Sequence, residues 1–363
     1  MARQTPAARH GAFHPLRVAE VDRLTDDSVA VSFAVPPELR GTYRYAPGQH
    51  LALRRRSVDG SEIRRTYSIC GPAVDPDGPS TLRVGVRMVE GGEFSTFALK
   101  ELAVGHTVEV MAPAGRFVLE PKPGHFVAVV GGSGITPVLS IASTLLGREP
   151  DAHFCLIRSD RTAASTMFVE EVADLKDRYP DRFQLVHVLS REEQQAGLPS
   201  GRLDEARLTE LLPALLPVTA VDGWFLCGPY GLVQGAERAL HALGVPRDRV
   251  HQEIFHVDDG ASAPSLPVPA PARSAVTATL DGRSGSWPVK DGESLLDAVL
   301  RNRADAPYAC KGGVCGTCRA FLVSGEVRMD RNFALEQEEV GAGYVLACQS
   351  HPVTEEVELD FDR

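Results

Sequence analysis

Cys310-Lys311-Gly312-Gly313-Val314-Cys315-Gly316-Thr317-Cys318 is the stretch that decides how the last quarter of this chain folds. Three cysteines fall in it as C-x4-C-x2-C, and a fourth, Cys348, follows after twenty-nine intervening residues. That spacing suits a [2Fe–2S] cluster held by four thiolates. Three ligands from one loop require the backbone to wrap the group closely. Gly312, Gly313 and Gly316 permit unusual φ angles and leave room for N–H groups to point at sulfur. Such hydrogen bonds, with burial, tune the potential, which for this cluster type is roughly −400 mV. The competing reading is a four-cysteine zinc site. Zinc ligands, however, come as two short knuckles, whereas here three cysteines are bunched and one stands apart. We expect Cys310, Cys315, Cys318 and Cys348 to be the metal ligands.

Upstream, Asp258 to Arg273 reads DDGASAPSLPVPAPAR, with four prolines and almost nothing to bury. Residues 258–273 therefore read as a semi-extended tether between folded units. Residues 274–363 beyond it open on a hairpin-like stretch and a helix near Ser294–Arg303. Residues 124–257 before it alternate strand and helix patterns. Strands are expected at Phe126–Val130, Phe154–Ile157, Phe183–Leu189 and Gly223–Cys227, and helices at Pro137–Leu146, Met167–Tyr179 and Leu232–Leu243. This predicts a parallel α/β sheet. A softer boundary lies at Pro121-Lys122-Pro123-Gly124. Residues 13–123 carry short β-like segments at Val29–Val35, His50–Leu53 and Leu82–Val89, with one helical piece near Ser95–Leu102. A small antiparallel barrel is expected there. Residues 1–12 read as a disordered start.

The net charge of −10 argues against a nucleic-acid partner, because phosphate binding needs clustered Lys and Arg. No run of eighteen apolar residues exists, so no membrane partner is expected. Arg3 and Arg9 are not followed by an apolar segment, so the start does not read as a secretory signal and the cytoplasm is the expected location. From Ser274 onward roughly 9 basic residues face 15 acidic ones. This is either a solvated acidic face or a docking surface for a basic partner, which would act mainly on association rate. Seven cysteines, an odd count with four near the end, favour ligation over a disulfide framework.

Through Tyr308-Ala309-Cys310-Lys311-Gly312-Gly313-Val314-Cys315 and Val357-Glu358-Leu359-Asp360-Phe361-Asp362, residues 274–363 resemble a plant-type ferredoxin domain. The residues before them resemble the ferredoxin–NADP reductase family, and the fused order is similar to the reductase components of bacterial oxygenases. The resemblance implies a multidomain fold: an antiparallel β-barrel flavin domain, an α/β parallel-sheet nucleotide domain and an α+β β-grasp ferredoxin domain. It implies FAD, NADPH and a [2Fe–2S] cluster as cofactors. The implied partner is an oxygenase component, of the di-iron aryl-CoA epoxidase kind.

Arg65-Thr66-Tyr67-Ser68 fits the family's R-x-Y-S motif. An arginine can clamp a phosphate with its fork, a tyrosine ring can cover the flat isoalloxazine, and a serine hydroxyl can bond the flavin edge where hydride arrives. Four letters alone would also suit a paired edge strand. Downstream, Arg87, Gly91, Gly92 and Ser95 precede or open a helix, whose N-terminal N–H groups suit a pyrophosphate. Ser95 could equally be an ordinary N-cap. The family's G-x-x-S binds pyrophosphate here, which implies FAD over FMN.

Gly131-Gly132-Ser133-Gly134-Ile135-Thr136-Pro137 follows the first α/β strand. It departs from G-x-G-x-x-G because Pro137 takes the third glycine's place, and proline suits a first helical turn. The loop matches the family's nicotinamide-nucleotide loop through Gly132, Gly134, Thr136 and Pro137. Cys227-Gly228-Pro229 ends a later strand. Cys227 could be an inert strand-end cysteine, but the family places it beside the nicotinamide with an acidic–aromatic pair, here Glu253 and Phe255. Arg158-Ser159-Asp160-Arg161 follows the second strand. Its two arginines favour a 2′-phosphate, while Asp160 could hold a 2′-hydroxyl instead. Ser190-Arg191 fits the family's S-R pair for that phosphate. His50 reads as barrel packing, and Cys70 and Cys155 as core.

The three sites form a series. Nicotinamide gives electrons as a hydride, the cluster takes them singly, and flavin converts one mode to the other. Ser68, Cys227 and Glu253 are the expected positioning residues for hydride transfer, and the tether would let the ferredoxin unit swing between flavin and acceptor. Two alternatives stay open: a general electron donor to a small redox acceptor, and a redox-responsive binding protein whose cluster state gates association.

Overall fold

The computed structural model describes residues 12–56, 62–73, 76–192, 201–256 and 274–363. The expected tether and all but the last residue of the expected disordered start lie outside them.

Period-two alternation builds the first unit. Its elements are β1 (Phe13–Thr25), β2 (Ser28–Ala34), β3 (His50–Arg56), β4 (Glu62–Ser68), β5 (Thr81–Arg87), α1 (Glu93–Lys100) and β6 (Thr107–Met111). The strand order is β4-β3-β6-β1-β2-β5, and every recorded pairing is antiparallel. A bridge from Ile69, just past β4, to Val84 of β5 joins the two ends. The sheet thereby closes as a barrel and leaves few free edges. Leu16, Val31, Phe33, Leu51, Leu53, Ile63 and Val84 fill its interior, each contributing roughly 1.5–3 kcal/mol by burial. Because Leu51, Leu53 and Ile63 point inward, alternation turns His50, Ala52 and Arg54 outward. Their cross-strand neighbours on that outer face are Ser68, Thr66 and Arg64.

The second unit is a parallel sheet ordered β11-β10-β7-β8-β9. In chain order it runs β7 (Gly124–Gly131), α2 (Ile135–Arg148), β8 (Ala152–Asp160), α3 (Val169–Arg178), β9 (Phe183–Leu189), α4 (Glu205–Leu215), β10 (Gly223–Pro229), α5 (Tyr230–Ala242) and β11 (Val250–His256). Strands here are buried on both faces. Phe126, Ala128, Val130, Phe225 and Cys227 meet α2 and α3, while Val127, Val129, Trp224 and Leu226 meet α4 and α5. Two elements escaped the periodicity reading. β11 reads Val-His-Gln-Glu-Ile-Phe-His, too polar to look like a strand, and α4 carries Pro213. The core under α2 also takes in Ala30, Cys70, Phe117 and Leu119, so barrel and α/β sheet share apolar packing.

The third unit has β12 (Ser274–Leu280), β13 (Arg283–Val289), α6 (Leu295–Leu300), β14 (Arg319–Ser324), β15 (Val327–Met329), α7 (Gln337–Gly341), β16 (Tyr344–Leu346), β17 (Ser350–Pro352) and β18 (Glu356–Asp360). β12 pairs antiparallel with β13 and parallel with β18, in the order β13-β12-β18-β14-β16. The α6 residues Leu295, Leu296, Ala298 and Val299 pack on this sheet in the manner of a β-grasp. Ser294 caps α6 by accepting from the Asp297 N–H at 3.2 Å.

Candidate functional site

The cysteine loop runs between α6 and β14. Its wrapping uses the left-handed region at Lys311 (φ 52), Gly313 (φ 79) and Gly316 (φ 66). Gly312 was expected among these positions and is not one of them, but its N–H does point at sulfur as expected, donating to Cys310 Sγ at 3.3 Å. Lysine takes the left-handed turn in its place, with its ammonium 2.8 Å from Asp297. The Gln349 amide reaches Cys348 Sγ at 3.7 Å. The thiols stand as two neighbouring pairs, Cys310 with Cys315 and Cys318 with Cys348. The Cys315 thiol and nearby backbone N–H groups pull Cys310 well below the ordinary thiol range, while the neighbouring Cys348 thiol and burial push Cys318 up. Two thiol pairs match a cluster whose two irons would each take two cysteines as thiolates, whereas a mononuclear tetrahedral site would draw all four to one point. The residues fit a [2Fe–2S] group.

The expected hydride-site residues converge from two units. Ser68 Oγ, at the end of β4, donates to Glu253 Oε2 at 3.3 Å. Glu253 lies directly opposite Cys227 in the parallel β10–β11 register, one strand spacing away at ~4.8 Å. Cys227 is fully buried, and burial followed by the Glu253 charge holds its thiol well above the ordinary range. It is a neutral contact group, not a thiolate. Phe255 packs against the α2-side core, and the Tyr67 ring lies 5.4 Å from Phe94 of α1. His50 is buried as expected of a packing residue, but its Nδ1 also stands 3.7 Å from Glu253 Oε1. Its Nε2 is buried without a partner among the described residues. Sequence reasoning missed that role, because only the fold brings β3 to β11.

The phosphate-binding candidates divide. Arg65 is exposed on β4. α1 starts at Glu93 with Gly92 as N-cap, no side chain caps it, and Gly91 has φ 69. Ser95 is therefore not the N-cap. It sits inside the first turn, where its hydroxyl accepts from Val89 N–H and donates to Gly92 O, both at 3.1 Å. Arg87 reaches the other loop: it pairs with Asp27 at 3.3 Å, bonds Ser165 O, and would stand 3.0 Å from a Cβ on Gly132.

In that loop Gly132 has φ 54, and a Cβ on Gly134 would stand 2.2 Å from Cys227 O. One glycine serves conformation and the other serves close approach. Thr136 Oγ1 donates to Ser133 O at 3.0 Å, Pro137 lies in the first turn of α2, and no side chain caps that helix. Gly228 (φ 143) packs against Gly131. At the far end the two-arginine reading needs correction. Arg158 is 2% exposed and donates to Asp160 at 2.8 Å and to Met167 O at 3.1 Å, so its fork is closed off from solvent. Asp160 is held by Arg158 and His187. The remaining exposed pair is Arg161 and Arg191, drawn together by the Arg191 N–H to Arg161 O bond at 2.9 Å, with Ser190 N–H on Asp160 O.

The cysteine loop faces the hydride site across one cavity of 1120 Å³, whose walls include His50, Glu253, Phe117, Cys315 and Gly316. Ala309 packs on Ala52 and Met111 of the barrel. Arg116 pairs with Glu339 and donates to Ala334 O at 3.0 Å, and Tyr230 of α5 meets Phe333 at 5.5 Å. The ferredoxin unit is thus seated on both other units in this structure.

Residues 15–119 match the oxidoreductase FAD-binding domain, residues 128–238 the oxidoreductase NAD-binding domain, and residues 278–353 the 2Fe-2S iron-sulfur cluster binding domain. The chain is 44% identical over 354 residues to one of the subunits of the 1,2-phenylacetyl-CoA epoxidase of Escherichia coli (strain K12), covering 96% of this chain and 98% of that protein. It is 34% identical over 354 residues to the ferredoxin reductase component of the 3-ketosteroid-9-alpha-monooxygenase of Rhodococcus rhodochrous, covering 95% and 96%. Among solved structures, phthalate dioxygenase reductase shares the fold with a TM-score of 0.60 at 24% identity, covering 96% of this chain and 98% of that one.

Proposed function

This chain belongs to the family of oxygenase reductase components that join FAD-binding, NAD-binding and [2Fe–2S] domains in one polypeptide, and from that membership we propose that it carries electrons from NADPH to a phenylacetyl-CoA epoxidase. The observation that carries the relay is the cavity with Glu253 and His50 at one wall, Ser68 hydrogen-bonded to that Glu253, and the Cys315 loop at the other wall.

When bound, flavin accepts a hydride and returns its electrons one at a time. The chain's own residues supply place and environment. Ser68 and Glu253 present a hydrogen-bonded edge, and Cys227 supplies a neutral, buried thiol behind the place the nicotinamide would take. Gly132, Gly134 and the uncapped start of α2 receive the pyrophosphate, with Arg87 across from them. Arg65 and the uncapped start of α1 serve the flavin phosphates in the same way.

Arg161 and Arg191 support NADPH over NADH, because two exposed arginines whose backbones are joined by a hydrogen bond suit a 2′-phosphate. Replacing either by alanine is expected to raise KM for NADPH about 10–100-fold, the worth of one charge-assisted hydrogen bond, and to leave KM for NADH unchanged. The preference is refuted if the unaltered protein uses NADH with equal or higher kcat/KM. A reducing cytoplasm suits a protein that keeps four thiols for a cluster; no helix among the described residues is long and apolar enough to cross a membrane.

An anaerobic NADPH titration followed by absorption and EPR tests the relay. Flavin bleaching together with a reduced-cluster signal is expected, and zinc without iron in the purified protein would end the reading. Adding the epoxidase component should couple NADPH oxidation to substrate turnover.

A further inference from the structure

We propose that Arg64 is the residue that sets the gap between flavin and cluster, by clamping Tyr308 of the ferredoxin unit. The proposal rests on the two-cofactor reading above and adds to it a positioning residue.

Arg64 precedes Arg65 of the flavin motif, and alternation along β4 turns it to the barrel's outer face, as it does Ser68. The two are four positions apart, ~13 Å along a strand. Arg64 is 4% exposed, which a guanidinium tolerates only when its donors and faces are occupied. Its central carbon lies 3.9 Å from the centre of the Tyr308 ring and 4.9 Å from that of Phe13. It bonds Glu62, and donates to Tyr308 O at 3.5 Å and Ala304 O at 3.4 Å; the Tyr308 hydroxyl adds a 3.4 Å bond to the same Glu62.

Tyr308 is two residues before Cys310, and the intervening Ala309 seats on Ala52 and Met111. The clamp therefore links the flavin motif to the first cluster ligand through a handful of covalent and packed contacts. Single-electron transfer falls steeply with distance, so a looser clamp slows it. Each transfer takes one electron from reduced flavin and makes one ferric ion ferrous. No bond or proton crosses the interface, and the proton that accompanies flavin oxidation leaves on the flavin side. An arginine stacked on a ring out of water holds a seat that lysine, without the planar fork, does not hold equally.

The test uses the holoprotein and three variants, Arg64→Lys, Tyr308→Leu and Tyr308→Phe, at matched iron and flavin content. NADPH is mixed in a stopped-flow instrument and flavin bleaching and cluster reduction are followed separately, with solution X-ray scattering of each protein. For Arg64→Lys and Tyr308→Leu the flavin phase should stay at the unaltered rate. The cluster phase should slow roughly tenfold or more, as the seated fraction falls when a desolvated arginine–ring contact is weakened or removed, and the radius of gyration should rise. Tyr308→Phe keeps the ring and should restore near-normal behaviour. Arg64→Lys lies far in sequence from the ligands, so it stays informative if Tyr308→Leu loses iron. The proposal is overturned by an unchanged cluster phase, by an equal slowing of the flavin phase, or by a slower cluster phase with unchanged scattering. If the unaltered protein shows no cluster phase at all, the two-cofactor reading fails instead.

Discussion

Cys348→Ser should abolish passage of electrons to a protein acceptor while NADPH-dependent reduction of ferricyanide continues. Cys348 is the ligand that lies outside the loop, and it supplies the second thiol of the Cys318 pair. A serine hydroxyl is a poor ligand for iron, and a pair reduced to one thiol cannot complete the set of its iron. Loss of a residue that merely supports a metal ligand costs 10–100-fold, so loss of a ligand should cost more than about 100-fold in electron delivery. The hydride end is built from β4, β10 and β11 and touches no residue of this pair, so the first half-reaction should survive. Iron content, the EPR signal of the reduced protein and cytochrome c reduction check the prediction. Undiminished delivery to cytochrome c would sink it.

The second large effect is expected at the other end of the cavity. Glu253→Gln should slow flavin bleaching by NADPH by about 10²–10³-fold, the cost of removing one preorganised polar group at a reacting centre. Glu253 accepts from Ser68 and stands opposite Cys227, with His50 at 3.7 Å, so one carboxylate organises three side chains. The substitution keeps its size and removes its charge. The sign of the effect on Cys227 follows. Burial is the larger cause of its raised pKa and the Glu253 charge the smaller, so glutamine lowers that pKa only in part and the thiol stays neutral. The bleaching rate in the unaltered protein should accordingly show no ionisation from Cys227 between about pH 6 and pH 9, within the ordinary thiol range. A stopped-flow pH profile decides this. Thiolate-like titration in that window, or a Glu253→Gln rate within twofold of the unaltered protein, would exclude the arrangement.

Where residue spacing is local, the sequence was legible. The C-x4-C-x2-C loop, the R-x-Y-S strand end and the glycine-rich turn before α2 each depend on residues a few positions apart, and each lies where local pattern puts it. The α/β helices and strands came within a few residues of expectation, since buried parallel strands and amphipathic helices have strong periods. Details that depend on neighbours from elsewhere did not come through. Gly312 was assigned a conformation that Lys311 adopts, Ser95 was weighed as an N-cap that Gly92 provides, and Arg158 was counted toward a phosphate although it is buried on Asp160. β11 went unseen as a strand, though its Glu253 and Phe255 were singled out.

By itself the sequence determined the chemistry available: four thiols with the spacing of an iron pair, strand-to-helix turns open to phosphates, and an acidic–aromatic pair ahead of a proline-rich stretch. Apart from Cys348, each is written in one short segment, so local sterics and hydrogen bonding suffice to define it. Only the tertiary structure decided that these segments face one another. Glu253 meets Ser68 across 185 residues, and Arg64 meets Tyr308 across 244. Contacts of that separation arise when a closed barrel, a parallel sheet and a β-grasp bury their faces together, and no local period encodes them.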